Sequence, residues 1–136
     1  MHSWPVRVYY EDTDAGGVVF YANYLKFFER GRTEWLRELG YQSQSMLEQQ
    51  DLVLVVRHVD VQYLAPARLD DELSIVTRVS TLGGSSLVFE QQAVRDQQCL
   101  VSASVTVVCV NTQTFKATRI PVSMRESIEH SNKDKA

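Results

Sequence analysis

The chain has 136 residues, 44% of them hydrophobic and 23% charged, with a net charge of −3 at pH 7. That is the make-up of one soluble globular domain, long enough to bury its own core. The acidic balance, with no stretch that concentrates Lys and Arg, excludes a basic stripe for nucleic acid. The longest apolar run, Leu52 to Val56, is strand-sized and well short of the ~18 residues that suggest a membrane span. The opening Met1-His2-Ser3-Trp4-Pro5 has no basic-then-apolar export pattern, so a cytoplasmic protein with no integral membrane segment is expected.

In chain order, a half-buried strand is expected from Trp4 to Tyr10, followed by a glycine-bearing loop from Glu11 to Gly17. From Tyr21 to Leu39 the apolar period becomes helical. Tyr24, Phe27, Phe28, Trp35, Leu36 and Leu39 fall on one face, and charged residues cover the other. Gly31 lies on the apolar stripe; its cost of about 1 kcal/mol relative to Ala suggests close packing against a sheet. Gly40 is placed to end the helix, and a short helical turn is expected from Ser45 to Gln50.

Strands follow at Leu52–Tyr63, Glu72–Thr81, Ser86–Arg95 and Cys99–Val110, broken by Pro66, by Gly83-Gly84 and by Asp96-Gln97-Gln98. Phe115 to Ile120 reads as a short extension and Pro121 to Ile128 as a last helix. Residues 1–130 then form the domain and 131–136 a flexible tail. This order describes an α+β domain, one antiparallel sheet of about five strands wrapped on one central helix. Cys99 and Cys109 fall ten positions apart in one strand, about 33 Å at ~3.3 Å per residue. They cannot join in a disulfide and read as two reduced thiols.

The chemically informative stretch runs from Tyr9 to Tyr24 and sets Asp12 and Asp14 in a loop just ahead of the apolar helix. Unpaired backbone N–H groups at a helix start favour negative charge and can polarise a carbonyl whose oxygen becomes anionic during acyl transfer. From the residues alone, Asp12 and Asp14 read as loop and capping residues sooner than as catalytic ones, because Asp is common at such positions. A metal site is disfavoured, because His2, His58 and His130 have no ligand spacing.

The run Tyr10-Glu11-Asp12-Thr13-Asp14-Ala15-Gly16-Gly17-Val18-Val19-Phe20-Tyr21-Ala22-Asn23-Tyr24, continuing to Phe27, Glu29, Arg30 and Arg32, resembles the opening signature of the 4-hydroxybenzoyl-CoA thioesterase family. Within that family it is most similar to the YbgC-type branch associated with the Tol–Pal envelope system. The similarity continues through Val55-Val56-Arg57, Tyr63 to Asp71, Ser86-Leu87-Val88-Phe89 and Val107-Val108-Cys109-Val110, nearly the whole chain.

The resemblance implies a hot-dog fold, a curved antiparallel sheet around a long helix, and hydrolysis of an acyl-CoA or acyl-carrier-protein thioester without a metal or redox cofactor. It implies that Asp14 is the catalytic carboxylate, as general base or nucleophile, and that the Tyr21 backbone N–H polarises the thioester carbonyl. Tyr21 stands where many relatives carry His, so a second acid–base group of near-neutral pKa is missing there. Substrate contacts are expected at Gly17, Val18, Tyr24, Arg57, Gly84, Ser85 and Ser86. Against these, an aromatic such as Tyr24 on a buried stripe is core by default, Arg57 reads sooner as a solvated or salt-bridged cation, and Asp70-Asp71 as turn formers.

The resemblance also implies a homodimer paired edge to edge with its active sites at the shared interface, and in many relatives a tetramer. A hydratase of this fold would need a His near the helix, and none lies between His2 and His58. A non-catalytic acyl-CoA or acyl-carrier binding module is the remaining alternative.

Overall fold

The structure is a computed structural model that describes the backbone of residues 1–134 and the side chains up to Ser131. Strand β1 (His2–Arg7) leads through a single 3₁₀ turn (Tyr10–Asp12) to the long helix α1 (Asn23–Glu38) and the shorter α2 (Ser43–Gln50). Then come β2 (Leu52–Tyr63), β3 (Glu72–Leu82), β4 (Ser86–Arg95), β5 (Gln98–Asn111), a two-residue β6 (Lys116–Ala117) and α3 (Val122–Asp134). The sheet is antiparallel in the order β1-β3-β4-β5-β2, with β6 on the end of β5. This is the expected hot-dog arrangement.

Strict alternation makes one face of the sheet apolar. Leu73, Ile75 and Val79 of β3, Leu87, Phe89 and Ala93 of β4, and Val101, Ala103, Val105, Val107 and Cys109 of β5 are all buried. Against them α1 lays Tyr24, Phe27, Phe28, Gly31, Trp35 and Leu36, with Trp35 edge-on to Phe89 at 5.9 Å. Register shifts at Val56/His58, Val79/Thr81 and Ala93/Val94 bend the strands around the helix. Gly40, at φ +100°, closes α1. Its N–H bonds the Arg37 carbonyl while the Tyr41 N–H reaches back to Leu36, the paired bonds of a glycine-terminated helix.

Several boundaries differ from expectation. The first strand ends at Arg7 rather than Tyr10 because the Asp12 carboxylate takes the Tyr9 N–H at 2.8 Å and turns the chain. The turn expected at Ser45–Gln50 is a helix from Ser43. The extension after Phe115 shrinks to Lys116–Ala117. The last helix continues past Ile128 to Asp134, so residues 131–134 are helical where a tail is expected; Lys135 and Ala136 lie outside the described residues. Cys99 and Cys109 are free thiols. No helix among the described residues is long and apolar enough to cross a membrane.

Candidate active site

Residues 12–23 form a closed corner ahead of α1. Asp14 N–H bonds the Val18 carbonyl, Gly17 N–H bonds that of Asp14, and Thr13 bridges to Val19, so Asp14 stands at the tip of a small hairpin opposite Val18. Gly17 takes φ +80° at that tip, a conformation that favours glycine. Behind the tip, the Asp12 carbonyl accepts both the Phe20 N–H and the Asn23 side-chain amide, each at 2.9 Å. Asp12 is thus structural with both its backbone and its carboxylate. Asp14 is exposed, and one of its oxygens accepts the Gly16 N–H at 2.8 Å.

Phe20 to Asn23 makes the turn into the helix, closed by a 2.8 Å bond from Asn23 N–H to the Phe20 carbonyl. The residue that caps the helix start is Ala22, which has no side chain able to bond the free N–H groups. Among the described residues no acceptor meets the N–H groups of Tyr21 or Ala22, and such a pair suits an anionic oxygen. The Tyr21 side chain is 62% exposed.

A second loop, from Leu64 to Asp71, braces the hairpin. Val19 N–H bonds the Ala67 carbonyl at 2.8 Å, Leu69 N–H bonds that of Gly17 at 3.3 Å, and Val18 bridges to Arg68. Asp71 holds this loop by accepting the Arg68 N–H at 2.8 Å and the Arg95 guanidinium at 2.7 Å. Burial alone would raise the Asp71 carboxyl, but these partners outweigh it and hold it below its ordinary range. Tyr24 is buried on α1 and its hydroxyl accepts the Ala67 N–H at 3.0 Å; burial pushes its phenol up. Val19, Tyr21, Tyr24, Tyr63, Leu64, Ala65 and Pro66 line a cleft of about 300 Å³ at this corner.

Of the expected site residues, Asp14, Gly17, Val18, Tyr21 and Tyr24 come together here. Arg57 does not; it is exposed midway along β2, at the register shift. Gly84, Ser85 and Ser86 lie at the β3–β4 hairpin, at the end of the sheet where β2 begins, whereas Tyr21 touches the residue where β2 ends. The 12 residues of β2 separate those ends by up to roughly 36 Å at ~3.3 Å per residue.

The hairpin carbonyls are also committed. Arg125 of α3 bonds those of Gly83 and Gly84, Ile120 N–H bonds that of Gly84, and Cys109 N–H bonds that of Ser85. Sequence reasoning missed Arg125, Arg95 and Tyr63. No local pattern marks them, because each meets its partner from more than twenty residues away. A more enclosed cavity of about 230 Å³ sits at this same far end, between α1, α2 and the start of β2, with Arg32 and Glu29 among apolar walls that include Leu36, Met46 and Phe89.

With this geometry in hand, residues 8–128 match the thioesterase-like superfamily. The chain belongs to that superfamily. It is 46% identical over 128 residues to the acyl-CoA thioesterase YbgC of Haemophilus influenzae, covering 94% of each chain. It is 48% identical over 122 residues to the acyl-CoA thioester hydrolase YbgC of Escherichia coli, covering 89% of this chain and 90% of that one. Among solved structures it superposes on a probable thioesterase from Bartonella henselae at a TM-score of 0.85 and 39% identity, over 88% of this chain and 98% of that one. Sequence and fold together group this thioesterase with the YbgC-type enzymes.

Proposed function

We propose that the chain hydrolyses acyl-CoA thioesters at the Asp14–Tyr21 corner, and that a second copy completes each site. Membership in the family makes it a thioester hydrolase. The observation that supports this location is the pair of unbonded N–H groups at Tyr21 and Ala22, beside a cleft and on the same loop as the exposed Asp14.

In the reaction, the thioester carbonyl lies against the Tyr21 N–H, which takes up the negative charge of the tetrahedral intermediate. Asp14 either removes a proton from attacking water and returns it to the departing thiolate, or attacks the carbonyl to form an anhydride that water then opens. Gly17 and Val18 flank Asp14, and Tyr24 walls the cleft. Tyr21 itself contributes backbone and an aromatic surface.

The dimer reading rests on the sheet edges. At one edge, β1 is short and contains Pro5, which lacks an N–H to offer a partner. At the other, β2 is 12 residues long and exposes Val55, Val56 and Val59 by 45%, 44% and 38%. Two copies joined edge to edge along β2, about a twofold axis perpendicular to that strand, run antiparallel, so the start of one β2 meets the end of the other. That pairing brings the hairpin with Gly84, Ser85, Ser86 and Arg125, and the 230 Å³ cavity, of one copy to the Asp14 corner of the other, with Arg57 near the axis. The hairpin's Ser hydroxyls then face the pantetheine or nucleotide of CoA, or of an acyl carrier protein. The free thiols Cys99 and Cys109 suit a cytoplasmic site of action.

The test is thiol release from a panel of acyl-CoA and acyl-carrier-protein thioesters by wild type and Asp14→Asn. Wild type turns over at least one of them, and the variant loses about 10³-fold or more in kcat, some 4 kcal/mol of transition-state stabilisation. Equal binding by both with no release by either would make the chain a binding module.

A further inference from the structure

The proposed carbonyl-binding N–H depends on how the Phe20–Asn23 turn is held: its two ends are bonded to each other and to the Asp12 carbonyl, but the Tyr21 backbone at its centre has no local partner. Tyr21 and Ala22 are its two central residues, no side chain caps the helix start, and Leu25 N–H bonds the Ala22 carbonyl rather than that of Tyr21. The Tyr21 carbonyl therefore receives no helical hydrogen bond. What it does receive comes from across the fold: the Tyr63 hydroxyl, at the end of β2, donates to it at 3.1 Å.

The Tyr63 ring also stands edge-on to Tyr21 at 6.2 Å and tilted against Tyr24 at 5.8 Å. It is thus seated between an exposed turn residue and a buried helix residue that is itself bonded to the Ala67 N–H. Immediately after it, Leu64 and Ala65 N–H both bond the Leu100 carbonyl, which anchors the strand end to β5.

We infer that Tyr63 is a positioning residue for thioester hydrolysis: its hydroxyl fixes the Tyr21–Ala22 peptide and, through it, the direction of the N–H groups that receive the carbonyl oxygen. The inference rests on the reading of the Tyr21 N–H given above. The bond orients the peptide that carries the Ala22 N–H directly. By fixing the backbone of Tyr21 from its carbonyl side, it also limits the swing of the peptide that carries the Tyr21 N–H.

Tyr63 need not touch the substrate for this, and it does not act by exchanging a proton. Burial and the neighbouring Tyr21 phenol push its own phenol up, so it remains a donor across the neutral range. The function differs from that of Asp14, whose loss removes the chemistry. Losing the Tyr63 hydroxyl leaves every reacting group in place but lets the donating N–H groups wander, and an oxyanion site loses effect steeply with misplacement.

The experiment compares Tyr63→Phe and Tyr63→Leu with wild type, measuring kcat and KM on the best thioester of the panel, the pH profile of kcat/KM, and the thermal midpoint. Tyr63→Phe keeps the ring and its packing while removing only the hydroxyl. It is expected to lower kcat about tenfold with KM within about twofold, an unshifted pH profile and a thermal midpoint within about 2 °C of wild type.

A Tyr63→Phe kcat within twofold of wild type overturns the inference, as does a loss expressed in KM alone. A loss seen only in Tyr63→Leu also overturns it, since the ring rather than the hydroxyl would then matter. The outcome is separable from failure of the catalytic reading, in which wild type itself releases no thiol or Asp14→Asn keeps its full rate.

Discussion

Replacing Gly31 with alanine should destabilise the protein, although alanine is the better helix former by about 1 kcal/mol. A Cβ on Gly31 would stand 2.7 Å from Ile75 Cγ2, 3.1 Å from Thr77 Oγ1 and 3.2 Å from Gln91 Nε2. None of these can easily give way. Ile75 is a fully buried, β-branched residue within β3, stiff at its first torsion. Gln91 Nε2 donates to the Phe28 carbonyl at 2.8 Å and to Thr77 Oγ1 at 2.9 Å, while its oxygen accepts Arg32 at 3.0 Å.

Overpacking of this kind costs about 1–3 kcal/mol, and each displaced buried hydrogen bond adds up to ~1 kcal/mol. Set against the helix-propensity gain, the expected net loss is about 1–2 kcal/mol. Urea unfolding followed by circular dichroism, at one fixed protomer concentration because pairing would make stability concentration-dependent, should show a lower midpoint at unchanged slope. The thermal midpoint should fall by roughly 4–8 °C. A Gly31→Ala protein as stable as wild type, or more so, would refute the claim that α1 sits on the sheet at a distance only glycine allows.

Two further outcomes are expected beyond those attached to Asp14 and Tyr63. If copies pair along β2 as proposed, wild type should sediment as a dimer and Val59→Lys, on the free edge of that strand, as a monomer. The variant should lose roughly 10²-fold in kcat/KM with Asp14 untouched; a fully active monomer would remove the case for shared sites. The Asp71 carboxyl is held below its ordinary range, so it binds protons more weakly folded than unfolded. Its contribution is present above the unfolded value of ~3.9 and is lost as pH falls through the lower folded one. Asp71→Asn should therefore be less stable than wild type by about 1–2 kcal/mol near neutrality, with the gap narrowing in acid. Urea midpoints at neutral and acid pH check this, and a gap that persists in acid would contradict it.

The division of labour at the site follows from its connectivity. The Asp12 carboxylate, the Asp12 carbonyl and Asn23 close the loop, which leaves one Asp14 carboxylate oxygen (the other accepts the Gly16 N–H) and the Tyr21 and Ala22 N–H groups uncommitted at its surface. A loop whose structural bonds are met by neighbours can spare its remaining donors and carboxylate for a substrate. The Leu64–Asp71 segment supplies a second layer, with Arg95 of β4 locking Asp71 and Tyr24 of α1 locking Ala67.

What the sequence by itself determined was whatever repeats at a local period. Alternation over Glu72–Thr81, Ser86–Arg95 and Cys99–Val110 specifies strands with one buried face, the helical stripe from Tyr24 to Leu36 specifies what covers it, and Gly31 marks a place where the two approach closely. The loop carrying Asp14 was legible too, since its residues are contiguous and its resemblance is specific.

Boundaries governed by a single side chain were not. Asp12 captures the Tyr9 N–H and ends the strand at a point where Tyr9 and Tyr10 would otherwise favour continuing it. Nor were the contacts that complete the site. Tyr63 to Tyr21, Arg95 to Asp71 and Arg125 to Gly83 join residues separated by 42, 24 and 42 positions. A hydrogen bond needs a donor and an acceptor within about 3 Å, whatever their separation along the chain, and only the sheet order and register bring those atoms that close. The sheet order likewise decided that Gly84, Ser85 and Ser86 lie at the opposite end of β2 from Asp14 in the same chain. A residue pattern states which groups are available; the antiparallel register decides which of them can reach one substrate.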